Sequence, residues 1–325
     1  MIGLMVCTLA IPAEDPSVLA DLRQLSSNRG WGLAKLGPLR ALILTLDSDP
    51  VHSREATGTF AFHWAASSAS GNCVSFMVPE DSMASSAGLP DETIFTVKSD
   101  GVIRKLKGRF PVIKGLAVSS DCTRVAVDGV YVRREPKGGT FHSEGAGLWY
   151  GLAGGEEDIK LIAHSTEPEP HITDPLEVGI FHASWSPDNK RVAYVQNGTV
   201  LVHDLERGTS VPLVKGKLPV WSPDGRWIGY QSGTGDPMLL RIETETAEPL
   251  LLGMKCLCSM QWSPDSQYVL FTRQGKTGDT VFMVCRIQDR AVAPLYFSRA
   301  EFCSRSFAWI TTDLINILTK PISQR

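Results

Sequence analysis

The sequence lacks the short motifs that mark several common enzyme classes. It contains no G-x-S-x-G nucleophile elbow, no G-x-x-x-x-G-K-[ST] phosphate loop, no H-E-x-x-H zinc motif and no G-x-G-x-x-G dinucleotide fingerprint. A peptidase of the α/β-hydrolase type would need the first of these motifs. The residues therefore offer no signal for hydrolase, nucleotide-binding or metalloprotease chemistry, and we expect no cofactor and no metal.

Neither sign of charge predominates in the chain, and long apolar runs are scarce. The chain carries 32 basic and 35 acidic residues, a formal charge of −3, and they are spread along its length. A basic face for nucleic acid is not evident, so we expect no nucleic-acid partner. No apolar run reaches the length of a membrane-spanning helix. With 43% hydrophobic residues among 325, the chain can nevertheless bury a large core.

Cysteine is sparse and irregularly spaced. The seven cysteines are an odd number, and most lie in apolar, strand-like stretches, so we expect most of them to be small buried thiols. The C-x-C formed by Cys256 and Cys258 has no second pair at zinc spacing, which disfavours a metal site.

The N-terminal segment, residues 1–30, is predicted to lie outside the main domain. Residues 1–13 are apolar and end in small residues like the core of an export signal, but they lack a basic start. Cytoplasmic location is slightly favoured, and periplasmic or secreted location stays open. Leucines and a valine at helical spacing after Pro16 predict a short helix over 15–27, packed outside the domain.

What the sequence has is a repeated decapeptide. "WSPDNKRVAY", "WSPDGRWIGY" and "WSPDSQYVLF" begin at Trp185, Trp221 and Trp262, with spacings of 36 and 41 residues. Pro fixes φ and the following Asp can bond back to the backbone, so each copy predicts a strand, a tight turn and a second strand. Two further β-type runs follow each copy. Four strands in about 40 residues is the period of a propeller blade.

Weaker copies begin at Val118 and Trp309, and Trp64 ends a similar first strand, which gives six first strands. After Trp309 only one further strand, 314–319, is predicted before the chain stops. A closed ring then needs strands from the other terminus, and 40–47 with part of 31–37 can supply them. We therefore predict an all-β domain over 31–325, a six-bladed β-propeller of four-stranded antiparallel blades closed by N-terminal strands; seven blades is the alternative.

These decapeptides resemble the WSPDG-type, WD40-like (PD40) repeat of the TolB-like six-bladed propellers, which is also related to the propellers of prolyl-oligopeptidase-type peptidases. The resemblance is strongest over 181–296. It implies the fold, and it implies partner binding of the kind found in TolB-like proteins, with an envelope location where an export signal is present. It does not imply one chemistry, because such propellers share a scaffold.

The repeated polar and aromatic residues are predicted to be structural. Identical surroundings in each copy indicate an identical role, with the aspartates capping turns and the tryptophans wedged between blades. Catalysis by these carboxylates is the less favoured interpretation. The structural set is Trp185, Asp188, Trp221, Asp224, Trp262 and Asp265.

The candidate site lies in three long insertions. Strand two is joined to strand three by 79–92 in the first blade and by 133–146 in the second, and 164–179 crosses to the third; topology places all three on one face. Long loops on a rigid scaffold are where binding residues gather, although solvated loops without a ligand are the alternative. The candidate binding residues are Arg133, Arg134, His142, Glu144, His164, His171 and Asp174.

The sequence thus favours a non-catalytic scaffold without a cofactor, which binds a protein or peptide on the loop-rich face of the first three blades. We expect a monomer. The alternative is a stand-alone propeller lyase or hydrolase with His142, Glu144, His164 and His171 at the mouth of the central channel. An enzyme of that kind should place such residues on several blades around the axis, whereas here they crowd one side.

Overall fold

The structure, a computed structural model, is an all-β assembly of antiparallel sheets with one N-terminal helix. It describes thirteen stretches of the chain: 14–29, 31–36, 41–45, 52–55, 65–79, 92–134, 141–154, 159–164, 182–251, 253–256, 260–274, 280–295 and 307–314. The predicted β-propeller of four-stranded blades is confirmed. The described strands form five sheets, four of four strands and one of seven.

The three intact repeats each build one sheet in simple order. Blade three consists of β11 (Ser184–Trp185), β12 (Arg191–Gln196), β13 (Thr199–Asp204) and β14 (Thr209–Lys215). Blade four consists of β15 (Lys217–Trp221), β16 (Trp227–Gln231), β17 (Pro237–Arg241) and β18 (Thr246–Pro249). Blade five consists of β19 (Gln261–Trp262), β20 (Tyr268–Gln274), β21 (Thr280–Arg286) and β22 (Val292–Leu295).

Blades one and two are joined in the seven-stranded sheet. Its strands are β4 (Ala65–Ser67), β5 (Cys73–Pro79), β6 (Glu92–Lys98), β7 (Ile103–Val118), β8 (Arg124–Arg134), β9 (Phe141–Leu152) and β10 (Lys160–His164). The 16-residue β7 pairs with β6 over 103–110 and with β8 over 109–118. It therefore ends blade one and begins blade two without a break, which the sequence did not predict. Counted as sheets, the described blades number five rather than six.

The ring is closed by strands from both ends of the chain, as predicted. We call this the closing sheet: β23 (Phe307–Thr311), β1 (Trp31–Leu36), β2 (Ala41–Thr45) and β3 (His52–Glu55), hydrogen-bonded in that order. Three N-terminal strands take part instead of two. The strand predicted at 314–319 is wrong at its start, because 312–314 form a helical turn in which the amide of Leu314 donates to Thr311 Oγ1.

The helix predicted near the N-terminus is found as α1 (Ser17–Arg29). Its start is capped where the amide of Ser17 donates to Asp15 Oδ1 at 2.9 Å. Val18 and Leu22 are buried against the inner strands of blade five, beside Tyr268 and Phe282. The backbone of Asp15 also bonds to Val292, so this segment covers the outer strand of blade five.

Hydrophobic clusters between adjacent sheets form the core. Trp185 packs with Ala117 and Leu148 of blade two, and Trp262 packs with Leu239 and Leu250 of blade four. Each tryptophan at the head of a repeat therefore contacts the blade before its own. Burial of this apolar area, rather than any single sheet, holds the ring together.

Candidate functional site

The propeller has two faces with different connections, which we call the turn face and the link face. The turn face carries the turns between strands one and two and between strands three and four of each blade. The link face carries the connections between strands two and three and the crossings from blade to blade. Antiparallel pairing in every described blade fixes this division.

The repeated aspartates lie in the turns of the turn face. Ser222 Oγ donates to Asp224 Oδ1 at 2.6 Å, and the amide of Arg226 donates to the same oxygen at 3.0 Å. The serine hydroxyl in turn accepts from the amide of Trp227 at 2.9 Å. The same pattern recurs around Asp121, Asp188 and Asp265. One oxygen of each of these carboxylates is therefore occupied in closing its turn.

The electrostatics of Asp188 agree with this arrangement. Burial opposes its ionisation, but hydrogen bonds from Ser186 and from the amide of Lys190 outweigh burial and lower its pKa. Its second oxygen pairs with Arg191 at 2.8 Å. A carboxylate held ionised by its own turn is poorly suited to act as a general acid near neutral pH.

The residue after each aspartate joins one blade to the preceding one. Its φ is positive in every copy: 62° at Cys122, 58° at Asn189, 74° at Gly225 and 62° at Ser266. Asn189 accepts from the amide of Ser120, and Ser266 accepts from the amide of Asp224. A Cβ on Gly225 would lie 3.1 Å from Pro187 Cγ. The contact between blades at this position was not predicted from the sequence, because the residue type differs in each copy.

At the first of these positions the link is covalent. Cys122, on the turn of blade two, forms a disulfide with Cys73 at the start of β5 in blade one, with a Cα–Cα distance of 6.1 Å. The prediction of buried thiols is therefore wrong for this pair, since scattered spacing gave no sign that the ring would bring them together. It holds for Cys256 and Cys285, which are buried thiols outside the disulfide. Burial raises the pKa of Cys285 to about 12.

The tryptophans of the repeats add a second set of contacts between blades. The indole nitrogen of Trp185 donates to the carbonyl of Ala117, and that of Trp262 donates to the carbonyl of Val220, both at 3.1 Å. Trp221 is 2% exposed, and the guanidinium of Arg191 lies 4.9 Å from its ring centroid. All of these interactions join neighbouring blades, so the tryptophans stabilise the packing between blades and do not form a reactive site.

On the link face, the segment predicted as a loop in blade two is largely strand. β8 runs to Arg134 and β9 begins at Phe141, with Arg133 opposite His142 and Arg134 opposite Phe141. The prediction of a loop over 133–146 is therefore wrong for 133–134 and 141–146. Glycines and charged residues suggested irregular chain, but pairing between two neighbouring strands overrides such local preference. A register shift between Val130 and Val132 accommodates the pairing.

These two strands form what we call the extended hairpin, residues 129–134 and 141–147. β10 pairs with β9 only from Gly147 to Tyr150, and β7 pairs with β8 only as far as Val132. The six residues 141–146 thus continue past the end of β10, a length of about 20 Å at roughly 3.3 Å per residue. The connection between strands two and three is therefore longer in blade two than in blade three, where it is the two-residue turn at 197–198.

The predicted binding residues fall into three groups. Arg133, Arg134, His142 and Glu144 lie on the extended hairpin. His164 ends β10, where its ring meets Trp149 edge-on at 6.3 Å and its carbonyl accepts from Gln196. His171 and Asp174 lie outside the described residues, as do the parts of the other two insertions at 80–91 and 165–181. The structure thus brings the first group to one element and places His164 on the neighbouring strand.

Two further features, a metal-ligand cluster and a membrane-spanning helix, are absent from the described stretches. Within the described stretches, no three histidines, cysteines or carboxylates come together as metal ligands would. No helix in those stretches is both long and apolar enough to span a membrane.

The arrangement of radial sheets and closing strands defines a β-propeller. No protein-family model and no curated protein matches the sequence. Among solved structures the chain is similar to two TolB proteins. The one from Acinetobacter baumannii has a TM-score of 0.55 at 12% identity, over 86% of this chain and 66% of that one. The one from Agrobacterium tumefaciens, described as putative TolB, has a TM-score of 0.51 at 15% identity, over 82% and 88%.

A third similar structure is a puromycin hydrolase, with a TM-score of 0.50 at 14% identity. The match covers 82% of this chain but 43% of that protein. The chain therefore spans less than two thirds of the Acinetobacter TolB and less than half of the hydrolase. At these identities the similarity shows the β-propeller fold alone and nothing about activity.

Proposed function

We propose that the protein is a non-catalytic binding scaffold of the TolB-like type, which docks a protein or peptide partner on the link face of blades one to three. The observation that carries the proposal is the extended hairpin. In this element residues 141–146 continue past the end of β10, and its sequence places Arg133, Arg134, His142 and Glu144 there. A two-stranded ribbon at the end of a sheet can bind a partner through its side chains or by pairing with a further strand.

The hydrogen bonds made on the turn face support the same proposal. On the turn face, serines, aspartates and positive-φ residues are engaged with one another across blades, so little polar capacity is left for a ligand. Rigid scaffolds of this kind commonly carry function on the connections at one end. The proposal also takes residues 31–325 as one domain of six four-stranded units, with β7 shared by two of them, preceded by an N-terminal segment over 1–30, and it takes the protein to be a monomer.

A shortened hairpin tests the proposal. Residues 133–142 are replaced by Asn-Gly, which places a two-residue turn directly between the paired Val132 and Ser143. The matched control changes the exposed turn between β13 and β14, on the opposite face, by Glu206→Ala and Arg207→Ala. Both variants should melt within a few degrees of the wild type, because no residue described as part of the buried core is changed.

The readout is the set of proteins that co-purify with each bait from cells of the source organism, quantified by mass spectrometry. Partners enriched by the wild type and by the control should be lost from the shortened hairpin. Retention of every partner by a folded, shortened variant would remove the hairpin from the binding site and contradict the proposal.

A further inference from the structure

Basic side chains on the two faces differ in how they are neutralised. On the turn face several cations are paired with carboxylates: Lys190 with Glu206 at 2.8 Å, and Arg226 with Asp224 at 3.1 Å. Arg191, Arg207, Arg286 and Arg290 are paired in the same way. Ion pairs of this type leave little net field for a charged partner.

On the link face of blades three to five, the described cations form no ion pair with a described carboxylate. Lys217 and Lys255 are exposed, and within the described stretches neither has a carboxylate within 4 Å. Lys215 is exposed as well and donates to Thr199 Oγ1, a neutral group, at 2.8 Å. Arg273 is partly buried, and its Nε has no hydrogen-bond partner. We call these four residues, Lys215, Lys217, Lys255 and Arg273, the basic row.

Backbone contacts place the basic row along one continuous edge. Lys215 ends β14, Lys217 begins β15, and Gly216 between them bonds to Gly198. Lys217 stands opposite Gln231, whose side-chain amide donates to the carbonyl of Cys256, directly after Lys255. Cys256 in turn forms a β-bridge with Arg273. The row therefore runs from blade three across blade four to blade five.

The acidic side chain described beside this row is Asp236. Its Oδ2 accepts from Thr234 Oγ1 at 2.6 Å, within its own turn. Among the described side chains, four cations therefore stand against one carboxylate along this edge. An unpaired cation retains its attraction for an incoming anion, because no internal pair has to be broken first.

We propose that the basic row binds a carboxylate-rich segment of the partner protein, extending the partner site from the hairpin of blade two around the link face to blade five. The proposal rests on the proposed function and adds the chemistry of the partner. Several lysines along an extended edge suit a chain of Asp and Glu side chains, which presents one charge every residue or two, better than a compact single anion. Such recognition weakens as salt rises.

The test uses the full chain and a fluorescein-labelled peptide of alternating Glu and Ser residues, with a Gln-Ser peptide of equal length as the neutral comparison. Binding is followed by fluorescence anisotropy at 50 mM and 300 mM salt. The variant is Lys217→Gln with Lys255→Gln, both exposed side chains. The matched control is Lys190→Gln with Arg226→Gln, which removes the same charge from the turn face.

The wild type and the control should bind the acidic peptide and not the neutral one. The basic-row variant should bind it about 5- to 30-fold more weakly, from about 0.5–1 kcal/mol for each exposed charge. Equal affinity of both variants would overturn the proposal, because attraction would then reflect overall charge. Tighter binding of a single-stranded oligonucleotide than of the peptide would overturn it too, in favour of phosphate recognition.

The two experiments distinguish failure of the binding-scaffold proposal from failure of the acidic-partner proposal. Loss of partner capture on hairpin shortening, together with no effect of the Lys217 and Lys255 substitutions, would retain the binding scaffold and reject the acidic partner. The reverse result would move the partner site to blades three to five.

Discussion

Asn189 Oδ1 accepts a hydrogen bond from the backbone amide of Ser120 at 2.8 Å, joining the turn of blade three to the turn of blade two. The carbonyl of Asn189 also accepts from Arg124 at 3.0 Å. With Ser266 on Asp224 and the disulfide of Cys122, this contact belongs to a chain of turn-to-turn links. The turns therefore do more than reverse the strands, because they set the angle between neighbouring blades.

Asn189 has two structural roles, the hydrogen bond to Ser120 and a backbone conformation with positive φ, and two substitutions should separate them. Asn189→Ala loses the bond to Ser120 and also forces alanine into a φ of 58°, so it should destabilise the protein by about 2–3 kcal/mol. Asn189→Gly loses the bond but tolerates the backbone, and should cost about 1 kcal/mol. Urea denaturation measures both. Wild-type stability of the alanine variant would contradict a structural link at this turn.

The disulfide should contribute to the stability of the ring. It closes a loop with a sequence separation of 49, which corresponds to about 4 kcal/mol in the loop-entropy model. Peptide mapping without reductant should recover Cys73 and Cys122 as a cross-linked pair. Reductant should lower the melting temperature of the wild type and leave that of a Cys73→Ser, Cys122→Ser variant unchanged. Recovery of both cysteines as alkylated thiols from unreduced protein would contradict the assignment.

The turn aspartates should make stability fall in acid. The pKa of Asp188 is lower in the folded protein than in the unfolded chain, because hydrogen bonds to its ionised form outweigh its burial. Its contribution is therefore present above the unfolded pKa, about 4, and is lost as pH falls through the folded value. Asp188→Asn keeps an acceptor oxygen but cannot titrate. Its urea midpoint should change less than that of the wild type between pH 5 and 3, and identical slopes would contradict this role.

The parts of the fold that repeat were predictable from the sequence, and the parts that depend on a single neighbour were not. The decapeptides at Trp185, Trp221 and Trp262 predicted their strands because each copy carries its own turn signals. The 16-residue β7 and the extended hairpin form through pairing that local composition does not show. The Cys73–Cys122 bond likewise depends on the ring, which brings two residues of unremarkable spacing together.

The candidate site was predictable only in its location. Counting strands placed 133–146 on the link face, and the structure keeps that placement while converting most of the segment to strand. The basic row was not predicted, because Lys255 and Arg273 are far in sequence from Lys215 and Lys217. Within the described stretches, the lack of an ion pair at these residues, a property of the folded neighbourhood, distinguishes them from the paired lysines and arginines of the turn face.

Hydrogen–deuterium exchange of the protein with and without a captured, purified partner tests the central claim most directly. Binding on the link face should slow exchange at 130–134 and 141–147 and at the strand ends around Gly216, Gln231 and Cys256. Exchange in the turns at 187–190, 223–226 and 264–267 should stay unchanged. Protection confined to those turns, with none on the extended hairpin, would contradict the account.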